Sequence, residues 1–332
     1  ADLRLASVYA SRGSAEAVPY YEKAATRGNA DAQLKLAELY ADGEIVERDL
    51  RKAFDLYWKL AEAGDEWAEF VIGCGRRFGE DDVEVNLELA KMAAERGRLE
   101  VQKNLGDFYR YALENSRDER EAAKWYLKAA EQGDAEAQCD TGNSYRYGWG
   151  VAKDEREAVK WYRKAAEQGN AAAQCEIGDS YRYGLGVVED ERKAVEWYRL
   201  SAAQGYAEAQ CEMGDSYRLG LGVPENGEEA VKWYRKAAEQ GWERASNQLG
   251  LCYWNGIGVD KDVKKAEKLF REAIDNDDRA AKYNLGRLLQ ERAVETRNEN
   301  LARESLVWLN RALKDGVEDA QEAIDEAWDP DA

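Results

Sequence analysis

Small and apolar side chains recur at helical spacing along most of the chain, in pairs of segments separated by glycine-rich turns. In the stretch that begins at Ala137, the residues sharing a helix face are Ala137, Thr141 and Tyr145 in a first segment and Ala158, Tyr162, Ala165 and Ala166 in a second. This spacing predicts amphipathic α-helices, because an α-helix completes a turn about every 3.6 residues. We therefore expect a hairpin of two helices, called helix A and helix B.

Glycine, aspartate and asparagine mark the ends of these helices. Gly148 follows helix A and can adopt the left-handed conformation that ends many helices. Asp154 precedes helix B, and Gly169 ends it. Asn170 precedes the next helix A, where its side chain can accept hydrogen bonds from unpaired backbone amides. The turn residues thus predict the same hairpin as the apolar pattern.

The hairpin recurs at intervals that are mostly 36 residues. The position of Ala137 is repeated at Ala32, Ala68, Val101, Ala173, Ala209, Ala245 and Ala281. Such a period predicts a repeat array of about nine units instead of compact domains. We expect one array over residues 1–332, and its parts are a partial capping repeat at 1–31, divergent repeats at 32–100, regular repeats at 101–256, and divergent repeats with an acidic C-terminal capping helix at 257–332.

The regular repeats share a motif of small, glycine and aromatic residues. Its letters are A-x-x-x-LG-x-x-Y-x-x-G-x-GV-x-x-D-x-x-KA-x-x-WY-x-KAA-x-x-G, and the match is close from Val101 to Gly256. This motif resembles the Sel1-like repeat family, a relative of the tetratricopeptide repeats. The resemblance implies an all-α fold, a right-handed α-solenoid superhelix of helix-turn-helix repeats about 36 residues long. It also implies that helix A lines a concave wall.

One interior repeat, at residues 68–97, departs from this motif. It lacks the tyrosine of helix A, and the letters CGRRFGEDD replace the GxGV turn. The segment 290–300 loses the GxGV turn as well. Irregular repeats at the ends of an array are expected of capping units. An irregular interior repeat predicts a local change of superhelix pitch or a special contact.

Composition excludes several classes of site. A net charge of −19 argues against a nucleic-acid partner, since phosphate binding needs a positive surface. The absence of histidine removes most catalytic triads and zinc sites. No apolar run reaches the length of a membrane span. We expect no catalytic residues, cofactor, metal or membrane insertion, and we expect protein or peptide partners; the oligomeric state stays open.

Cysteines follow the repeat. Cys139, Cys175 and Cys211 occupy one repeat position, so they form neither a disulfide framework nor a metal motif. They lie near the middle of the helix A wall, which is a candidate binding face. This position predicts either small side chains that line the wall or thiols open to oxidation. Free thiols favour a reducing compartment. We expect a cytoplasmic protein whose N-terminus is trimmed, because Ala1 already lies in phase with a repeat.

A row of polar and aromatic residues recurs on the helix A face opposite the alanines. In three regular repeats it contains Asp or Asn, then Arg, then Tyr, and in the next repeat Leu219 stands in place of the tyrosine. Its members are Asp107, Arg110, Tyr111, Asn143, Arg146, Tyr147, Asp179, Arg182, Tyr183, Asp215 and Arg218. Asp and Asn can bond the amides of an extended peptide, Arg can engage its carbonyls or carboxylates, and Tyr can stack on its side chains. The alternative is that Asp179 and Arg182, at i and i+3, only pair along the helix surface.

Tryptophans provide two further expectations. Trp125, Trp161, Trp197 and Trp233 recur in helix B and are interpreted as packing between neighbouring repeats. Trp254 interrupts the arginine column on a helix A face. It is either a hydrophobic anchor for a partner or another packing residue.

Three functions fit these patterns. The first is a non-enzymatic scaffold or adaptor that binds a peptide or protein segment along the helix A wall. The second is the regulatory or sensor arm of a larger enzyme or signalling protein, and the third is a bacterial envelope-associated protein. The sequence favours the first.

Overall fold

A computed structural model describes residues 2–73, 83–112, 118–275 and 278–327. Over these residues the chain forms nineteen α-helices and one π-helical turn, without a β-strand. Within the described residues consecutive helices pair as eight hairpins, and a single helix follows the last of them. The prediction of an all-α chain of helix hairpins is confirmed.

The chain divides into two compact units, Ala1–Trp161 and Tyr162–Ala332, and the boundary falls within helix α10. Helices of the first unit are α1 Asp2–Ser11, α2 Ala17–Ala25, α3 Ala30–Asp42, α4 Leu50–Glu62, α5 Glu66–Gly73, α6 Val83–Glu95, α7 Leu99–Asp107, the π-helical turn Phe108–Ala112, α8 Glu119–Glu131, α9 Ala135–Tyr147 and the first part of α10 Glu155–Glu167. Odd-numbered helices are A helices and even-numbered helices are B helices.

The second unit begins within α10 and continues with the same alternation. Its further helices are α11 Ala171–Tyr183, α12 Glu191–Ala203, α13 Ala207–Leu219, α14 Gly227–Ala238, α15 Glu243–Asn255, α16 Val263–Asp275, α17 Arg279–Thr296, α18 Glu299–Lys314 and α19 Asp319–Asp325. Alanines and large aromatic side chains of both helices of a pair fill the core of each unit.

The predicted helix ends are confirmed in the regular repeats. Helix α9 ends at Gly148, which has φ 76° and donates its amide to Ser144 O. Asp154 accepts hydrogen bonds from two amides at the start of α10, and the Asn170 side chain accepts from Ala173 N at 2.8 Å at the start of α11. Each of these contacts joins residues that are close together along the chain, so the local sequence is sufficient to predict it.

The glycine inside helices α7, α11, α13 and α15 makes room for an aromatic ring of the following helix B. A Cβ atom added to Gly178 would lie 2.5 Å from Cδ1 of Tyr198, and one added to Gly214 would lie 2.5 Å from Cδ1 of Tyr234. Both rings are fully buried. The second glycine of the GxG turn has a similar role, since a Cβ on Gly222 would lie 2.2 Å from the carbonyl oxygen of Glu191 in the preceding hairpin.

Of the irregular parts of the sequence, one lies outside the described residues and another lies in α17. Residues 74–82, which include Cys74 and the letters CGRRFGEDD, lie outside the described residues, as do residues 113–117. Helix α17 is longer than the regular A helices and ends at Arg297, which has φ 50°. Near the C-terminus the chain forms α19, with Ala320 and Ala323 buried, and its capping role stays a prediction.

Candidate functional site

The aspartates of the predicted row hold the tyrosine of helix B in their own hairpin. The hydroxyl of Tyr126 donates to Asp107 at 2.8 Å, that of Tyr198 to Asp179 at 2.7 Å, and that of Tyr234 to Asp215 at 2.5 Å. The same pair of positions is thus joined in three hairpins. The carboxylates therefore join helix A to helix B, and a partner segment would meet them already engaged.

Arginines of the row form ion pairs with carboxylates of helix A. Arg110 Nη1 lies 3.3 Å from Asp140 Oδ1 in the next hairpin, and Arg182 pairs with Glu212 across the same interval of 30 residues. The pair along one helix that the alternative predicted occurs at Arg218, whose Nη2 lies 3.5 Å from Asp215. Asp179, by contrast, accepts from Tyr198.

Two buried carboxylates organise the polar cluster of the second unit. Glu212 and Asp215 have side chains only 5% and 4% exposed. Glu212 contacts Arg182 and Arg244, and Asp215 contacts Arg244 as well. Burial raises the pKa of Glu212, and the two guanidinium groups oppose that rise. The predicted place of Asp215 on an exposed wall is corrected, because three side chains enclose its carboxylate.

The tyrosines that end the A helices are exposed. Tyr111, Tyr147 and Tyr183 are 64%, 48% and 55% exposed. In each case the guanidinium carbon of the preceding arginine lies over the ring, at 5.1, 5.3 and 5.5 Å from its centroid. The positively charged guanidinium group is attracted to the electron-rich face of the ring. This attraction restricts the positions of the tyrosine side chain. The predicted row is therefore presented mainly as tyrosine rings.

In the first unit, Arg110 and Tyr111 border a cleft of about 140 Å³. Its lining residues are Arg110, Tyr111, Glu119, Ala122, Ala123, Tyr126, Ser144 and Trp149. Arg110 lies 4.3 Å from the ring centroid of Trp149, and Trp149 stacks on Tyr147 at 4.6 Å with 27° between the ring planes. We call this site the Trp149 cleft.

Sequence reasoning identified Arg110, Tyr111 and Tyr147 at this site but missed Trp149 and Ala123. A comparison between repeats contains the signal. The turn reads GWGV at Trp149 and GLGV or GIGV in the following repeats, and helix B reads AAKWY at Ala123 where the following repeats read AVKWY or AVEWY. Both differences fall on residues that line the cleft.

Asp140 is the titratable group with a distinctive environment near the Trp149 cleft. Burial raises the pKa of its carboxyl to about 6, although Arg110 and a hydrogen bond with Asn143 act in the opposite direction. Asn143 itself is half-buried. An Asp that titrates near neutral pH makes the Arg110 ion pair sensitive to mild acid.

The predicted placement of the cysteines on the binding face is wrong. Cys139, Cys175, Cys211 and Cys252 are free thiols and are all buried. Cys211 belongs to the same core cluster as Ala245 and Leu249 of the next hairpin. Burial raises the pKa of Cys252 to about 11 and that of Cys175 well above its ordinary value. The faces of α11 and α13 on which Cys175 and Cys211 lie are covered by the next hairpin.

The tryptophans behave mainly as packing residues. Trp125 and Trp161 are buried, while Trp197 and Trp233 are half-buried. Trp254 is half-buried too, contacts Phe270 edge to face at 6.0 Å, and donates its Nε1 hydrogen to Glu291 at 2.8 Å. These contacts agree with the packing alternative for Trp254, whose role as an anchor stays a prediction.

The described residues contain neither a metal-binding cluster nor a membrane-spanning helix. In the described part of the chain, no group of three or more Asp, Glu or Cys residues is arranged to hold a metal ion. No helix within the described ranges has the length and apolar character needed to cross a membrane.

Comparisons with known proteins match both sequence and fold. A family model described as Sel1 repeat matches residues 11–29, 30–65, 99–134, 135–170, 171–206, 207–242, 244–278 and 279–317. The crystal structure of a Sel1 repeat protein from Oxalobacter formigenes is 30% identical, with a TM-score of 0.60 over 82% of this chain and 80% of that one. The structure of c5321, a protective antigen present in uropathogenic Escherichia coli strains and displaying an SLR fold, is 30% identical, with a TM-score of 0.51 over 92% of this chain and 73% of that one. No match is found among curated proteins.

Proposed function

The chain belongs to the Sel1 repeat family, whose members are generally protein-interaction scaffolds, and we propose that it binds a peptide or protein segment on its A helices. The observation that carries this proposal is the set of exposed tyrosines at the ends of these helices, each with an arginine over its ring. A Sel1 repeat array is typically non-catalytic, which agrees with a scaffold or adaptor role.

Tyrosine rings are suited to this task. They supply a large contact area at a small cost in side-chain entropy, and tyrosine is enriched among residues that dominate binding energy. Arg110 and Arg182 hold their tyrosines while they remain paired to carboxylates of the next hairpin. Because those arginines are engaged, the rings provide the surface that a partner contacts first.

Net charge favours one chemical class of partner. The chain carries 67 acidic and 48 basic residues, for a net charge of −19. A partner segment rich in Lys or Arg would be attracted over a distance of roughly 8 Å at physiological ionic strength. We propose that the partner segments are extended, basic and contain apolar side chains that meet the tyrosines.

The test replaces Tyr111, Tyr147 and Tyr183 by alanine in one variant of the intact chain. Short peptides are first selected from a random display library against the unmodified chain, and their dissociation constants are then measured by fluorescence anisotropy. We expect the triple variant to bind at least about 10-fold more weakly, because each lost ring removes on the order of 1 kcal/mol or more of contact.

A matched control replaces exposed side chains away from these helix ends. Val188, Leu200 and Val307 are 86%, 53% and 50% exposed, so their combined replacement by alanine removes apolar surface without touching the tyrosines. The control variant should bind like the unmodified chain. Equal affinity of the tyrosine variant and the unmodified chain would refute the proposal.

Arginine variants would be a poorer test of binding. Removing Arg182 leaves the buried Glu212 with one of its two cationic partners. Loss of a partner from a buried ion pair destabilises a protein strongly. A loss of binding in such a variant would therefore mix two effects that the tyrosine variant separates.

A further inference from the structure

The Trp149 cleft exists because one hairpin has a smaller residue than its neighbours. Position 123 is alanine, whereas the equivalent positions in the next three hairpins are Val159, Val195 and Val231. Those valines are buried, with exposures of 5%, 3% and 2%. The methyl groups that Ala123 lacks leave space beside Tyr126, which forms the inner wall of the cleft.

The wall of the cleft formed by Trp149 also differs from the equivalent part of the following repeats. Trp149 stands where the next two turns have Leu185 and Leu221. Its ring stacks on Tyr147, and the guanidinium carbon of Arg110 lies 4.3 Å from its centroid. Fixed aromatic walls lower the entropy cost of accepting a ligand group.

Helix A changes its form at the same point. The π-helical turn Phe108–Ala112 ends this helix, and Ala112 occupies the position of the glycine that ends the next A helix at Gly148. Arg110 and Tyr111 belong to this turn, and both line the cleft. Local π-helical turns occur frequently at functional sites, because they reorient side chains within a helix.

Size limits what can enter. The cleft has a volume of about 140 Å³, and an apolar cavity of about 150 Å³ in another protein accommodates benzene. Tyr111, Ala122, Ala123, Tyr126 and Trp149 make most of its lining apolar. One aromatic or large aliphatic side chain would fill it.

The charged groups around the cleft determine which residue can lie next to the bound apolar side chain. Glu119 lines the cleft, Asp118 precedes it, and Asp107 and Asp140 contact Tyr126 and Arg110 at its border. Arg110 is paired with Asp140, and Arg120 follows Glu119 on helix α8. Carboxylates outnumber guanidinium groups around the opening, so an approaching basic residue is favoured over an acidic one.

We propose that the Trp149 cleft receives one phenylalanine-sized apolar side chain from a bound segment whose adjacent residue is Lys or Arg. This inference rests on the proposed function, since it names the residue by which a partner segment would be anchored. It adds that the anchor lies in the first unit, at a hairpin that differs from its neighbours in Ala123 and Trp149.

Ala123→Val provides the test, because it fills the cleft with the side chain that the chain itself uses at the equivalent positions. Peptides selected from the random display library against the intact chain are measured against the unmodified protein, Ala123→Val and Val195→Ala. Selected peptides should contain Phe or another large apolar residue next to Lys or Arg. Ala123→Val should weaken them roughly 10- to 100-fold, the range that burial of one large side chain supports.

Val195→Ala is the matched control, since it alters the equivalent position of another hairpin and leaves the cleft intact; its affinity should be unchanged. Trp149→Leu, which introduces the residue found at the next two turns, should also weaken binding and covers the case in which Ala123→Val does not fold. Far-ultraviolet circular dichroism checks that each variant is helical.

The outcomes separate this inference from the proposed function. Peptides that bind Ala123→Val and Trp149→Leu as tightly as the unmodified chain, yet lose affinity in the tyrosine triple variant, would overturn the cleft and leave the scaffold standing. Failure to select any peptide would contradict both. Selected peptides without a large apolar residue would also overturn the cleft.

Discussion

At the scale of single residues, the glycine inside the A helices α7, α11, α13 and α15 is explained by a neighbouring ring. Glycine is normally unfavourable within a helix, by about 1 kcal/mol relative to alanine. Gly214 nevertheless occupies the middle of α13, where an added Cβ atom would lie 2.5 Å from the ring of Tyr234. The hydroxyl of that ring then reaches Asp215, the next residue of the same helix.

Replacement of Gly214 by alanine is therefore expected to destabilise the chain, although helix propensity alone predicts a gain. The tyrosine ring must move from its buried position, at a cost of roughly 1–3 kcal/mol. Urea unfolding measures the change. In a Tyr234→Ala background the same substitution should be neutral or stabilising, and an equal loss in both backgrounds would contradict the ring contact.

A second residue-scale prediction concerns Asp140. Its pKa of about 6 in the folded chain exceeds the value of about 3.9 for an unfolded aspartate. Between these values the folded state holds a proton that the unfolded state has released, so the contribution of Asp140 to stability increases as pH falls from 7 to 4. The free energy of unfolding of the unmodified chain minus that of Asp140→Asn should therefore increase over this range.

Direct titration checks the same group. A carbon-detected NMR titration should give a midpoint for the Asp140 carboxyl near 6. A midpoint below about 4, the ordinary range of an exposed aspartate, would contradict its buried environment.

The residue scale also shows what sequence can and cannot predict. Gly148, Asp154 and Asn170 were predicted correctly because their contacts lie within a few residues along the chain. The cysteines were misplaced because the next hairpin covers the parts of α11 and α13 where Cys175 and Cys211 lie. The pattern of one helix does not show which of its faces the next hairpin packs against.

At the scale of helices and hairpins, ion pairs across neighbouring repeats are the main addition of the structure. Arg110 pairs with Asp140 and Arg182 with Glu212, each across 30 residues. The sequence predicted the arginines but not these partners, because the register between two A helices depends on how hairpins pack. Repetition of the interval indicates that the pairing is part of the repeat.

Removal of Arg182 should reveal this contribution. Arg182→Met keeps most of the apolar volume and is expected to cost about 2–3 kcal/mol, because Glu212 stays buried with Arg244 as its remaining guanidinium partner. Chemical unfolding is the measurement, and Arg192→Met, at an exposed position of α12, is the matched control. A cost below about 0.5 kcal/mol, the usual limit for surface changes, would show that the pair is weak.

The valine position of helix B permits a paired prediction about packing. Val195→Ala removes buried methyl groups from α12 and should destabilise the chain by about 1–3 kcal/mol. Ala123→Val fills the Trp149 cleft and should be neutral or stabilise by about 0.5–2 kcal/mol. Thermal unfolding distinguishes the two. Equal destabilisation by both substitutions would mean that the space beside Ala123 does not accept a valine.

At the scale of the whole molecule, the repeat period determined most of the fold. The eight hairpins seen in the described residues follow from a motif that recurs at nearly constant intervals, and its apolar and glycine positions specify each hairpin locally. The candidate site is less predictable, because it depends on where repeats differ. Trp149 and Ala123 stand out only when one hairpin is compared with the next.

The central claim is that partner segments bind at the A helices, with their anchor in the Trp149 cleft. Hydrogen exchange of the intact chain, measured by mass spectrometry with and without a selected peptide, tests it most directly. The account predicts slowed exchange at Phe108–Ala112, at the start of α8 and at the turn that contains Trp149. Slowed exchange confined to B helices distant from this cleft, with these segments unchanged, would contradict it.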